Sequence, residues 1–379
     1  MNDFFKNAYE YLVSRIEHSL KDIDQNIVAN CLELLSSGGK NHKRVIVDGA
    51  GRSLQSVLLL TNELESEYGI RVNQVSNANL RPLRKGDIFI VNSRSGTGKS
   101  YSNAIFAKKK GLDVVFITGN ETLIDEFENV ILLKSELNRE KEYAPLGTEF
   151  EQASAVVCSC MGYAYTELEM LKSFNLYCDV AIEGLKSNLD KLTSQEKVLG
   201  NFIKLINDYL EFDNNNVVYF KGVGINEIIS RVIAIRYGHL LKENKKNLNV
   251  VYEGHWTGRN KNDLAIVMSG SGETDQILKY AKQGGDVGMK LFTITSFKES
   301  SLARTNKWYR NYAGNLIIEG RPEMISYYNK SIHNLDVKFF PEFELNTYIT
   351  LDALLALIAK LNDITEEDMK KTHRDNELE

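Results

Sequence analysis

DIFIVNSRSGTGKS, residues 87–100, and DLAIVMSGSGET, residues 263–274, are two versions of one signal. In each, an apolar run of strand length ends in serine and glycine, and a helix-like stretch follows. Working outward, each is preceded by another apolar run that ends in glycines: VIVDGAGRS (45–53) and VVYFKGVGIN (217–226). Gly49 and Gly222 stand 173 positions apart, and Ser93 and Ser269 stand 176 apart. A near-constant offset, with the signals in the same order, marks a duplicated unit.

Each unit carries five strand-like runs, at 45–49, 71–76, 87–92, 113–118 and 130–134, then at 217–221, 249–253, 263–268, 289–295 and 315–319. DVVFITG (113–119) and LFTITS (291–296) are mostly apolar, which suits strands covered on both faces. Helical patterns such as SNAIFAKKKGL and DQILKYAKQGG separate most of the runs. Strand alternating with helix predicts an α/β fold with a parallel, doubly wound five-stranded sheet in each unit. Polar residues break the apolar pattern in GLKSNLDKLTSQEKV (184–198), which divides the chain into 1–190 and 191–379. After its fifth strand the second unit has extra sequence, GRPEMISYYNKSIHNLDVKFFPEF, expected to cover or line a site.

With 379 residues, 43% of them hydrophobic, the chain can fill two substantial cores but not comfortably one. A net charge of -5 gives no basic field for nucleic acid, and KENKK (242–246) reads as a solvated connection. The N-terminus reads as an amphipathic helix rather than a signal peptide, and no apolar run reaches membrane-spanning length. A cytoplasmic protein is expected. Cys158 and Cys160 lie two apart in a helical pattern, on different faces, so no metal site is expected and all four cysteines read as core thiols.

Ser93, Ser95 and Thr97 in one unit, and Ser269, Ser271 and Thr274 in the other, follow a strand and precede a helix among glycines. Such a loop suits an anion: glycine admits close backbone approach, the helix N-terminus offers N–H groups, and hydroxyls add donors. A phosphate monoester fits it; simple helix capping is the other reading. SRSGTGKS (93–100) also falls one residue short of a Walker A loop, but the second unit has no lysine there and no strand ends in a persuasive Walker B aspartate.

Gly-x-Gly-Arg-Ser after the first strand and Ser-x-Ser-Gly after the third resemble the sugar isomerase (SIS) domain pattern. YAPLGTEFEQA (143–153), the helix RVIAIRYGHL (231–240) and the ending KKTHRDNELE (370–379) are similar to segments of 6-phospho-3-hexuloisomerases. The resemblance implies two tandem flavodoxin-like SIS domains. It implies a sugar-phosphate ligand and an aldose–ketose isomerisation through an enediol, without metal or other cofactor. It further implies Glu151 and Glu344 as bases, His373 as an imidazole, and Arg52 and Ser53 beside the loop residues as phosphate-binding groups. Relatives built from single units assemble from several, so a homodimer is expected, with Phe339 and Phe340 suited to its interface.

The two copies depart from the pattern in different places. Ile225 and Asn226 stand where the first unit has Arg52 and Ser53; Gly98 stands where the second has Thr274; Lys186 stands where it has His373. Complementary loss suggests one composite site. Glu151 and Glu344 also sit where a carboxylate favours a helix start, Arg52 could equally form a surface salt bridge, and a terminal His373 is ordinarily solvated. His239 reads as packing or interface, and His255 as a second imidazole candidate. The other functional readings are a non-catalytic phosphosugar sensor and an aminosugar-phosphate isomerase or deaminase.

Overall fold

Ile88–Asn92 is buried at every position, as an apolar run covered from both sides must be. The computed structural model describes residues 3–41, 43–67, 70–78, 80–134, 139–211, 216–241, 248–252, 258–322, 324 and 339–372. His255 and His373 lie outside them.

After helices α1 (Asp3–Lys21) and α2 (Gln25–Lys40), the first unit runs β1 (Val45–Gly49), α3 (Gly51–Glu67), β2 (Val72–Gln74), β3 (Ile88–Asn92), α4 (Gly98–Lys109), β4 (Asp113–Thr118) and β5 (Asn129–Leu132). Two helices follow, α5 (Glu149–Ala164) and α6 (Met170–Thr193). The strand order is β2-β1-β3-β4-β5, and every pairing is parallel. Phe89, Val91 and Phe116 pack with Ala104 and Ala107 of α4 on one face. Each large apolar side chain so buried contributes roughly 1.5–3 kcal/mol. β2 is a short, half-buried edge strand.

The second unit repeats this plan: α7 (Glu196–Glu211), β6 (Val218–Lys221), α8 (Ile225–Gly238), β7 (Val250–Tyr252), β8 (Leu264–Met268), α9 (Asp275–Val287), β9 (Lys290–Thr295) and β10 (Tyr312–Ile317), then α10 (Glu342–Leu361) and α11 (Glu366–Lys371). Its order, β7-β6-β8-β9-β10, is the same flavodoxin-like order, again all parallel. The expected strands are found within three residues, and the largest shift is at β10. β10 begins at Tyr312, where its register with β9 slips at Gly314.

The compact units are not continuous runs. Val13–Arg139 and Gly147–Ile182 go with the first sheet; Met1–Leu12, Glu140–Leu146 and Glu183–Glu377 go with the second. Within that second unit Tyr9 donates to the Leu185 carbonyl at 2.9 Å, and Asn188 donates to both Tyr9 and Thr350 at 3.1 Å. Among the described residues no helix is long and apolar enough to cross a membrane.

Cys31, Cys158, Cys160 and Cys178 are buried free thiols. Burial pushes the Cys31 thiol up to about 12 and the Cys158 thiol higher still. Thiolate is the reactive species and all four thiols are shielded from reagent, so no thiol of the native protein should react rapidly with an aromatic disulfide at pH 8. All four should react once urea unfolds the chain; rapid native labelling would contradict the packing.

Candidate active site

The first site grows from the carboxyl ends of β1 and β3. Arg52 and Ser53 stand in the first turn of α3, because the chain turns sharply through Gly51, whose φ is +48°. Glu151 stands in the first turn of α5 and is 5% exposed. Ser53 Oγ donates to Glu151 Oε1 at 3.4 Å, and Arg52 Nη1 lies 3.6 Å from Glu151 Oε2. Oε2 accepts no hydrogen bond from a described residue. Asn92, at the end of β3, locks the arrangement by donating to the Ser53 carbonyl at 2.7 Å and to Ser154 Oγ at 3.1 Å.

Directly beyond Asn92 comes the serine loop. Ser93 is half-buried, while Ser95 and Thr97 are exposed, their hydroxyls 2.9 Å apart. Gly96 has φ +60°, and a Cβ there would lie 2.4 Å from Leu123, so the turn requires glycine. Thr97 is the residue before α4, yet its side chain makes no capping hydrogen bond. Capping therefore does not account for its hydroxyl. Lys99 of the near-Walker sequence is exposed in the first turn of α4.

In the second unit, Ser269 follows β8 at the equivalent place. Its Oγ lies 3.0 Å from Thr274 Oγ1 and 3.5 Å from Ser271 Oγ, and it accepts from the Gly272 N–H at 3.1 Å. Thr274 precedes α9, again without a capping bond from its side chain. Glu344, in the first turn of α10, is fully buried. Asn226 donates to Glu344 Oε1 at 2.8 Å, as Ser53 does to Glu151. Arg321 Nη2 donates to the same oxygen at 2.6 Å, and Oε2 again accepts no hydrogen bond from a described residue.

Of the expected residues, the structure brings Arg52 and Ser53 against Glu151 in the first unit and groups the Ser269, Ser271 and Thr274 hydroxyls in the second. Sequence reasoning missed Arg321. The change to Ile225 suggested that the second unit had lost its guanidinium, but a guanidinium reaches Glu344 from the segment after β10. It also missed Asn92, and Arg139, whose Nε lies 3.5 Å from the fully buried Glu149. For Asn92 a signal existed: a polar residue closing an otherwise apolar strand. One further expectation changes, and for His239 the packing alternative is the one found. Phe339 is buried, with the Arg321 guanidinium 5.6 Å from its ring centre, so it serves this unit's own packing. His239 is buried and its Nδ1 lies 2.6 Å from Thr372 Oγ1. Lys186 lies exposed on α6.

No family model matches the chain. An uncharacterised protein of Archaeoglobus fulgidus is 30% identical over 192 residues, covering 51% of this chain and 92% of that protein. The 3-hexulose-6-phosphate isomerase of Methylomonas aminofaciens is 24% identical over 188 residues, 47% of this chain and 96% of its own length. The crystal structure of tagatose-6-phosphate ketose/aldose isomerase from Escherichia coli superposes with a TM-score of 0.64 at 15% identity, over 97% of this chain and 94% of that one. Two sheets of one order, each with a glycine–serine loop beyond its central strand, define a protein of SIS fold. The chain belongs to one family with the Archaeoglobus fulgidus protein.

Proposed function

We propose that the chain is a sugar-phosphate isomerase, and that its substrate pair is a hexulose 6-phosphate and fructose 6-phosphate. The observation that carries this reading is the same set of groups in both units: a buried glutamate with one oxygen accepting no hydrogen bond from a described residue, a guanidinium beside it, and a serine–threonine loop at a helix N-terminus. The named hexulose phosphate isomerase among the relatives supports the finer assignment.

The chemistry moves a proton between adjacent carbons. In this reading a glutamate, Glu151 or Glu344, takes the proton from the carbon next to the carbonyl. The carbonyl oxygen gains a proton to give the enediol, whose former carbonyl carbon then takes a proton as the neighbouring hydroxyl loses one and becomes the new carbonyl. His373 is the proposed imidazole for the oxygen protons. Arg52 with Ser53, Ser93, Ser95 and Thr97, and Ser269 with Ser271 and Thr274, hold the phosphate. Binding energy from that remote group fixes the reacting carbons against the base. These steps need acid–base groups and a phosphate anchor, all of which side chains supply.

The test is turnover. Fructose 6-phosphate, glucosamine 6-phosphate and inorganic phosphate are titrated while the melting temperature is followed, and each stabilising sugar is then assayed for conversion. Fructose 6-phosphate is expected both to stabilise and to convert. Stabilisation without conversion would favour a sensor, and conversion of glucosamine 6-phosphate alone would favour aminosugar chemistry. The same reading expects a homodimer in the cytoplasm; light scattering checks the first part.

A further inference from the structure

We infer that Arg321 is an anion-binding residue of the second unit and replaces there the arginine that the start of α8 lacks. The inference rests on the proposed sugar-phosphate site and adds to it a residue from outside every motif of that site.

Three observations carry it. First, Arg321 lies on the serine loop itself: a Cβ placed on Gly270, between Ser269 and Ser271, would lie 2.6 Å from both Cγ and Nε of Arg321. Its Nη2 meanwhile reaches Glu344 Oε1 at 2.6 Å. One guanidinium therefore spans from the loop to the carboxylate, the place that a bound phosphate ester must share with both. Second, the position is built. Arg321 has a side chain only 10% exposed and is stacked on Phe339. The backbone before it is pinned, with Glu319 N–H donating to Asn188 at 3.1 Å and Glu319 carbonyl accepting from Asn346 at 3.1 Å. Gly320 makes the approach possible. Its φ is +122°, and a Cβ there would lie 2.1 Å from the Phe343 nitrogen, so only glycine lets the chain pass against the start of α10. Third, Glu344 is fully buried, and its Oε2 accepts no hydrogen bond from a described residue. A buried, half-satisfied carboxylate beside a positioned guanidinium is expensive for a group that only holds the fold. It fits a pair waiting for a ligand with an anionic end and hydroxyls.

The geometry differs from that of the first unit in a telling way. There the guanidinium comes from the helix after the first strand and stands 3.6 Å from its glutamate. In the second it comes from beyond the last strand and bonds directly. The chemistry is kept while its source in the sequence changes, so the second unit is a complete binding site rather than a degenerate one.

The experiment titrates fructose 6-phosphate into the full chain by calorimetry, with circular dichroism and melting temperature as folding checks. Wild type is expected to take two molecules per chain. Arg321→Ala should weaken one of them at least ~10-fold, the loss of a charge-assisted hydrogen bond, and leave the other intact; Arg52→Ala should do the reverse. Arg321→Lys, which keeps the charge without the fork, should fall between. If Arg321 merely neutralised Glu344, adding Glu344→Gln to Arg321→Ala would restore binding, and that restoration overturns the inference. So does wild-type affinity at both sites in Arg321→Ala, or a single wild-type site lost only in Arg52→Ala; in these cases the proposed function still stands. Failure of wild type to bind any sugar phosphate sinks the proposed function instead.

Discussion

Asp352→Ala lowers the stability of the second unit by about 3–5 kcal/mol, the cost of leaving a buried charge without its partner. The guanidinium at stake is that of Arg236 on α8, fully buried, with Nε donating to Asp352 Oδ1 at 2.7 Å and Nη1 to the Pro145 carbonyl at 2.8 Å. Asp352 lies on α10 and is itself 1% exposed. Solvent screens neither ion, and the aspartate cannot be replaced by water without opening the packing. The two helices and the strap Glu140–Leu146 are thus joined through one side chain. Arg236→Met combined with Asp352→Leu removes both charges and should cost much less than either truncation alone, because no ion is left behind. Urea unfolding at pH 7 measures both, with the two units' transitions analysed separately where they part. A loss below about 1 kcal/mol in Asp352→Ala would show that the pair is not isolated from water as described.

The double variant Glu151→Gln, Glu344→Gln lowers kcat by about 100- to 10,000-fold, the usual worth of a positioned base. Glutamine keeps the size of the side chain and its ability to accept from Ser53 or Asn226, but it cannot take a proton. Sugar-phosphate binding should therefore survive and KM change little, which separates the loss of a base from the loss of a site. The single variants carry further information. Two working sites leave substantial turnover in each; one composite site loses nearly everything in one of them. Retention of more than a tenth of wild-type kcat in the double variant would remove both glutamates from the mechanism. The melting temperature must be followed with Glu344→Gln, because Arg321 then keeps its burial and loses its carboxylate.

Much of this molecule is readable without coordinates, and the reasons are local. Strands buried on both faces leave continuous apolar runs, so Ile88–Asn92 and Leu264–Met268 announce themselves. Gly51 and Gly96 are legible because tight turns with positive φ exclude other residues. The shared plan of the two units shows because both keep these local requirements in one order. That Glu151 and Glu344 open helices is legible from their shared Phe-Glu setting, while their candidacy as bases comes from the family resemblance. What the sequence left open depends on reach rather than on pattern. That the residues up to Leu12 and the strap Glu140–Leu146 join the second sheet is set by burial, as in the buried Tyr9 hydroxyl bound to Leu185 and Asn188, and leaves no periodic trace. Arg321 is the sharpest case. It stands 23 positions from Glu344, in a stretch without a motif, and only the packing of Gly320 against α10 brings it there. Sequence alone determined two parallel sheets and the loops at their carboxyl ends, because backbone geometry constrains neighbours along the chain. Tertiary structure alone decided which arginine serves which glutamate, because a guanidinium is placed by where its backbone packs and not by its distance along the sequence.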